Sequence, residues 1–151
     1  MNSGTEALRS AHRLGRLLGM ALCFGTPTLV AALVLSGTVP PGRESPGGIY
    51  QQVGYLLTGL VFLSAAWVWW RSGRALGAFR RLPEAERPST VLRESLLYAA
   101  AFEISSLCGL AYWVLVGAQA TRHVWGFILL TPVLFLALVP GYDRWAEQLK
   151  G

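Results

Sequence analysis

The sequence predicts an all-α fold, an integral membrane bundle of four helices in a single domain, residues 1–151. Of these residues, 53% are hydrophobic and only 14% are charged, whereas soluble domains have about 25% charged residues. Four apolar segments, 17–35, 53–70, 96–116 and 124–139, approach the roughly 20 residues that a helix needs to cross a bilayer. Their apolar runs are continuous, which excludes the alternating pattern of a membrane β-barrel.

The first predicted span covers residues 15–36. It follows a basic lead-in, residues 1–16, which we expect to be a helix lying at the membrane interface. Pro27 falls in the middle of the span and has no backbone N–H, so it predicts a kink and an unbonded carbonyl near Cys23. The loop 37–48 is rich in glycine and proline, which indicates turns.

The second predicted span, residues 52–72, ends in Trp67, Trp69 and Trp70. Tryptophan is enriched where a membrane meets water, so these residues are expected to form an aromatic belt. We place Trp145, near the C-terminus, in the same belt.

A polar link, residues 73–91, joins this span to the third, residues 92–117. The second helix is expected to continue into the link until Pro83 ends it. Ser89 is a candidate N-cap for the third span.

The fourth predicted span covers residues 122–141 and follows a very short turn, which makes it antiparallel to the third. Pro132 predicts a second kink there. Cys23 and Cys108 both fall inside spans, so we interpret them as small apolar side chains rather than as a disulfide or a metal site.

The charge distribution predicts the orientation of the bundle. The net charge is +5, which by itself would also suit a nucleic-acid-binding protein. However, only Arg43 and Arg122 lie on one side of the predicted spans, and the other basic residues all lie on the opposite side: Arg9, Arg13, Arg16, Arg71, Arg74, Arg80, Arg81, Arg87, Arg93, Arg144 and Lys150. This positive-inside pattern places both termini and the link in the cytoplasm, in a multi-pass protein of the plasma (inner) membrane.

Glu103 is the most informative residue for function, because it lies inside the third apolar segment. A charged side chain at the centre of a membrane helix costs about 2.5–3.5 kcal/mol on insertion scales and often marks a functional site. Hydroxyl groups on the other spans are predicted at a similar depth. The candidate polar layer therefore contains Glu103, Ser106, Ser105, Ser64, Thr26 and Thr131.

Three interpretations of Glu103 remain open at this stage. It is a neutral carboxyl that hydrogen-bonds a neighbouring helix and stabilises packing, an interaction of about 0.6–2 kcal/mol. Alternatively, it is a proton- or cation-binding site, or it pairs with a basic residue of a partner subunit.

Residues 74–115 resemble the helical hairpin of the c subunit of rotary ATP synthases, the proteolipid family. The matching residues are Arg-Ala-Leu at 74–76, Arg-Leu-Pro-Glu-Ala at 81–85, Ala-Phe-Glu at 101–103 and Gly-Leu at 109–110. The resemblance implies that Glu103 is the carboxylate that binds a proton or sodium ion, with Ser105 as an auxiliary ligand. Cys108 stands where the family has tyrosine, and the bulky residues at 67–70 differ from the family's glycine-rich first helix.

We therefore expect a small non-enzymatic subunit or accessory protein that packs in the bilayer, as a homo-oligomer or with a membrane-complex partner. The alternative is a proton- or cation-handling protein that uses Glu103. Neither a cofactor nor a metal is predicted. His12 and His123 fall on opposite sides of the membrane in this topology, so they cannot hold one haem together, and each is expected to be solvated.

Overall fold

The computed structural model describes residues 3–43 and 48–149, all in helices or short connections. The long helices are α1 (Ser3–Leu35), α2 (Ile49–Phe79), α3 (Arg87–Val116) and α4 (Thr121–Leu138), and a short α5 (Tyr142–Glu147) follows. Single 3-10 turns at Glu84–Glu86 and Ala118–Ala120 lead into α3 and α4. Four helices in the described part of the chain are long and apolar enough to cross a membrane, as predicted.

The helices extend beyond the predicted spans. With 33 residues, α1 is about 50 Å long at 1.5 Å per residue, longer than a hydrocarbon core of about 30 Å. Residues 3–16 of the basic lead-in are helical, as expected, and form one continuous helix with the first span; their position at the membrane interface stays a prediction. Both α1 and α4 continue through their prolines, Pro27 and Pro132.

The start of α3 also differs from the prediction. The helix begins at Arg87, with Pro88 in its first turn, a position where the missing N–H of proline removes no helix hydrogen bond. Ser89 lies inside the helix, and its hydroxyl donates to the carbonyl of Glu86 at 2.9 Å. Ser89 is therefore not the N-cap.

Helix α3 occupies the centre of the bundle. It packs against α1, α2 and α4, and its interface with α1 is the most extensive. Gly19 of α1 leaves room for α4, because a Cβ there would collide with the ring of Phe135, whereas its contact with Ala99 of α3 would be an ordinary one. In contrast, α2 lies at the periphery and leaves most of its apolar surface exposed.

At one end of the bundle, which we call the link end, Leu8, Phe79, Val91 and Trp145 form a buried cluster. These residues come from α1, α2, α3 and α5, so the beginning, the link and the end of the described chain meet at the same end of the bundle. The ring of Trp145 packs edge-on against Phe79 at 4.9 Å and is only 1% exposed. Trp145 is thus a core residue, and its assignment to the aromatic belt was wrong.

The opposite end, which we call the loop end, is closed by the segment after α1. Gly42 donates its N–H to the carbonyl of Trp113 at 3.1 Å, and the indole of Trp113 donates to the carbonyl of Val39 at 2.9 Å. Gly117 ends α3 with a φ of 83°, which favours glycine. Residues 44–47 of the predicted turn-rich loop lie outside the described residues.

Candidate functional site

Glu103 lies on the face of α3 that packs against α1, between the two ends of the bundle. Its side chain is only 9% exposed. The carboxyl group lies beside the thiol of Cys23 and the hydroxyl of Thr26, both on α1. Glu103 and Thr26, two members of the predicted polar layer, are therefore neighbours across the α1–α3 interface.

Both carboxyl oxygens of Glu103 are buried, and neither has a hydrogen-bond partner of normal geometry among the described residues. This is unusual, because buried polar groups in proteins are nearly always hydrogen-bonded. The Cys23 thiol instead donates a 3.7 Å hydrogen bond to the carbonyl of Ala99 on α3. An unpartnered, buried acidic group is the distinctive feature of this site.

The other hydroxyl groups of the predicted layer form hydrogen bonds between α3 and its neighbours α2 and α4. Ser105 donates to the carbonyl of Phe127 at 2.7 Å, and Ser64 of α2 donates to the carbonyl of Ala101 at 2.7 Å. Each bond joins α3 to a different neighbouring helix. Both hydroxyls are hydrogen-bonded to backbone away from α1.

Ser106 and Thr131 make a second link between α3 and α4. Their hydroxyl oxygens are 2.7 Å apart, and Thr131 also donates to the carbonyl of Phe102 at 3.3 Å. Because Thr131 has only one hydroxyl hydrogen, Ser106 is the donor to Thr131. The predicted layer therefore divides into an acidic group facing α1 and a set of helix-joining hydroxyls facing α2 and α4.

The local sequence of α1 leaves one backbone carbonyl of this helix without its usual donor. Pro27 has no N–H, so it cannot bond the carbonyl of Cys23 four residues earlier. The hydroxyl of Thr28 donates a hydrogen bond of 2.6 Å to the next carbonyl along the helix, that of Phe24. Cys23, which we had interpreted as an apolar side chain, is fully buried and contributes a thiol beside the carboxyl of Glu103.

A second buried acid, Glu94, lies nearer the link end and was not predicted as a site residue. It is 3% exposed and accepts hydrogen bonds from Nε and Nη2 of Arg71, each at 2.8 Å. Arg93 approaches the same carboxylate at 3.6 Å, and the hydroxyl of Tyr98 lies next to it. The burial of Glu94 among these partners was not predicted from the sequence.

The two histidines lie at opposite ends of the bundle. His12 packs edge-on against Tyr142 at 5.8 Å near the link end, and His123 lies 6.0 Å from Tyr112 near the loop end. His12 is only 8% exposed, so its predicted solvation was wrong, whereas His123 is exposed. In the described ranges no three His, Cys, Asp or Glu side chains come together in a group that could hold a metal ion.

Comparisons of the chain with protein-family models, with curated proteins and with solved structures found no match.

Proposed function

We propose that this chain is a small, non-enzymatic membrane protein in which Glu103 binds and releases a proton. The observation that supports this proposal is the burial of both carboxyl oxygens without a hydrogen-bond partner. A permanently charged group would be costly in this position unless it were paired. Proton binding removes that charge and supplies an O–H that can donate.

A purely structural role for Glu103 is less consistent with these contacts. A side chain that stabilises packing does so through a hydrogen bond to a neighbouring helix. Ser64 makes such a bond from α2 to α3, and Ser105 and Ser106 make such bonds from α3 to α4. Glu103 lies beside Thr26 and Cys23 of α1 but makes no hydrogen bond of normal geometry with either, although it lies in the most extensive interface of the bundle. A group that exchanges protons does not need a permanent partner.

The donor set favours a proton over a metal cation. Hard cations bind several oxygen ligands, about six or more for calcium and magnesium. Beside the two oxygens of Glu103, α1 offers the hydroxyl of Thr26. The other hydroxyls of the layer already form hydrogen bonds that join α3 to α2 or α4. Sodium is the second candidate ligand, because the resemblance to the proteolipid hairpin implies either a proton or a sodium ion at this carboxylate.

The resemblance of residues 74–115 to the proteolipid hairpin points to the same residue, since its ion-binding carboxylate corresponds to Glu103. We propose that the protein resides in the plasma membrane with both termini and the link in the cytoplasm, as the positive-inside pattern indicates. It works there as a subunit or accessory protein, within a homo-oligomer or a larger membrane complex.

The proposal is tested with the purified full chain in proteoliposomes, by following internal pH after a potassium diffusion potential is imposed. The substitution Glu103→Gln preserves the size of the side chain but replaces the carboxyl group with an amide that does not titrate. We expect it to reduce proton flux to the level of protein-free vesicles. Ser64→Ala, which removes a hydroxyl of the same layer, is the matched control and should retain the wild-type flux. Equal flux through wild type and Glu103→Gln, with both correctly folded, would contradict proton handling by Glu103.

A further inference from the structure

A cleft of about 500 Å³ opens at the link end, between α2, the end of α4 and α5. Its charged lining consists of Arg74 from α2 and Arg144 from α5. No acidic residue lines this cleft in the described part of the chain. Two arginines from different helices therefore line one space that has no carboxylate, although Arg74 also borders a neighbouring cleft that contains Glu86 and Glu94.

Neither arginine is engaged in an ion pair with another described residue. The salt bridges of the described chain join Arg71 and Arg93 to Glu94, which leaves Arg74 and Arg144 free to meet an external anion. The guanidinium of Arg74 lies over the ring of Trp70, 4.2 Å from its centre. Stacking on an aromatic ring restricts the side chain and leaves the in-plane N–H donors available.

The rest of the cleft suits a hydrocarbon chain. Trp69 and Trp70 are 70% and 51% exposed, and Ala137 and Leu138 of α4 complete an apolar wall. Tryptophan prefers the boundary between hydrocarbon and water. The link end also has most of the basic residues of the chain, which is typical of the cytoplasmic surface of a membrane, where anionic lipids are enriched.

We propose that this cleft binds an anionic phospholipid, with its phosphate between Arg74 and Arg144 and an acyl chain along Trp69 and Leu138. Arginine matches phosphate oxygens through paired N–H donors. Free phosphate would satisfy the same arginines, but it would leave the apolar wall unused. The occupant is therefore a lipid, and this inference does not depend on the role of Glu103.

The experiment titrates the detergent-solubilised full chain with phosphatidylglycerol and measures bound lipid by native mass spectrometry. We expect Arg74→Gln and Arg144→Gln each to weaken binding about fivefold, because one arginine near an anionic membrane surface contributes about a factor of this size. The double variant should lose most of the binding. Arg80→Gln, which removes an exposed arginine of the same helix end that does not line the cleft, should bind like the wild type.

Two further ligands identify the source of the anion. Phosphatidylcholine, which has no net charge, should bind much more weakly than phosphatidylglycerol, and inorganic phosphate should not displace the bound lipid at equal concentration. Wild-type lipid affinity in the double variant would overturn the proposal. A loss of affinity in Arg80→Gln as large as in Arg74→Gln would also overturn it, because it would indicate general charge attraction rather than binding in the cleft. Displacement by inorganic phosphate would overturn the assignment to a lipid.

Discussion

Arg71 and Glu94 form a bidentate ion pair that joins α2 to α3. Nε and Nη2 of the arginine each lie 2.8 Å from a different oxygen of the carboxylate. The two partners differ in environment, since the side chain of Glu94 is 3% exposed and that of Arg71 is 37% exposed. The guanidinium can reach water if the pair is broken, but the carboxylate cannot.

This asymmetry predicts unequal effects of the two single substitutions. Arg71→Leu leaves Glu94 buried with Arg93 as its only nearby cation. We therefore expect a loss of about 1–3 kcal/mol in the free energy of unfolding, which is less than for a fully buried pair because Arg71 is partly exposed. Glu94→Leu should cost less. The double variant should be more stable than Arg71→Leu alone, as a double-mutant cycle in detergent would measure. A larger loss for Glu94→Leu than for Arg71→Leu would contradict this account.

The hydrogen bond between Ser106 and Thr131 gives a second prediction. Ser106→Ala removes a bond between α3 and α4, and an interhelical hydrogen bond in a membrane contributes about 0.6 kcal/mol, with values up to about 1.7. Thr28→Ala is the matched control, since that hydroxyl bonds only its own helix, and it should change stability little. Unfolding measured in lipid bicelles would test both variants. Equal losses of unfolding free energy in Ser106→Ala and Thr28→Ala would show that the α3–α4 hydrogen bond does not stabilise the bundle more than a bond within one helix.

The arrangement of the ends predicts which sites an impermeant thiol reagent can reach. Cysteines introduced at Ser45, which lies outside the described residues, and at the exposed Thr38 should react from outside intact cells. A cysteine at Ser89, which is exposed at the link end, should react only after the cells are opened. The native Cys23 and Cys108 are buried and should give little background. Labelling of the Ser89 position in intact cells would reverse the proposed orientation.

Much of the helical architecture follows from apolar patterning, but the packing partners do not. The four apolar segments were predicted, and Glu103 and Thr26 were assigned to one polar layer, because segment length and depth along a helix can be counted in the sequence. The burial of Glu94 was not predicted, since the residue lies close in sequence to the arginine-rich link. The sequence did contain a signal for this ion pair. Arg71 and Glu94 have opposite charges and lie at the link ends of two consecutive antiparallel spans.

Other features needed three-dimensional information. Trp145 was expected at a membrane interface on the basis of its type and position, but α5 turns it into the cluster with Phe79. The central position of α3 depends on which faces interlock, and no local pattern specifies that. The division of the polar layer likewise depends on the rotation of α3, which directs Glu103 to α1 and Ser105 to α4.

Carbodiimide labelling tests the central claim most directly, since this reagent attacks protonated carboxyl groups within membranes. The full chain in membranes is treated with a hydrophobic carbodiimide, and the modified residue is located by mass spectrometry. We predict modification at Glu103 that declines as pH rises, is absent in Glu103→Gln and is unaffected by sodium. Protection by sodium would instead favour the cation site. An unmodified Glu103 at every pH, under conditions in which the reagent labels another intramembrane carboxyl, would contradict the claim that Glu103 binds and releases a proton.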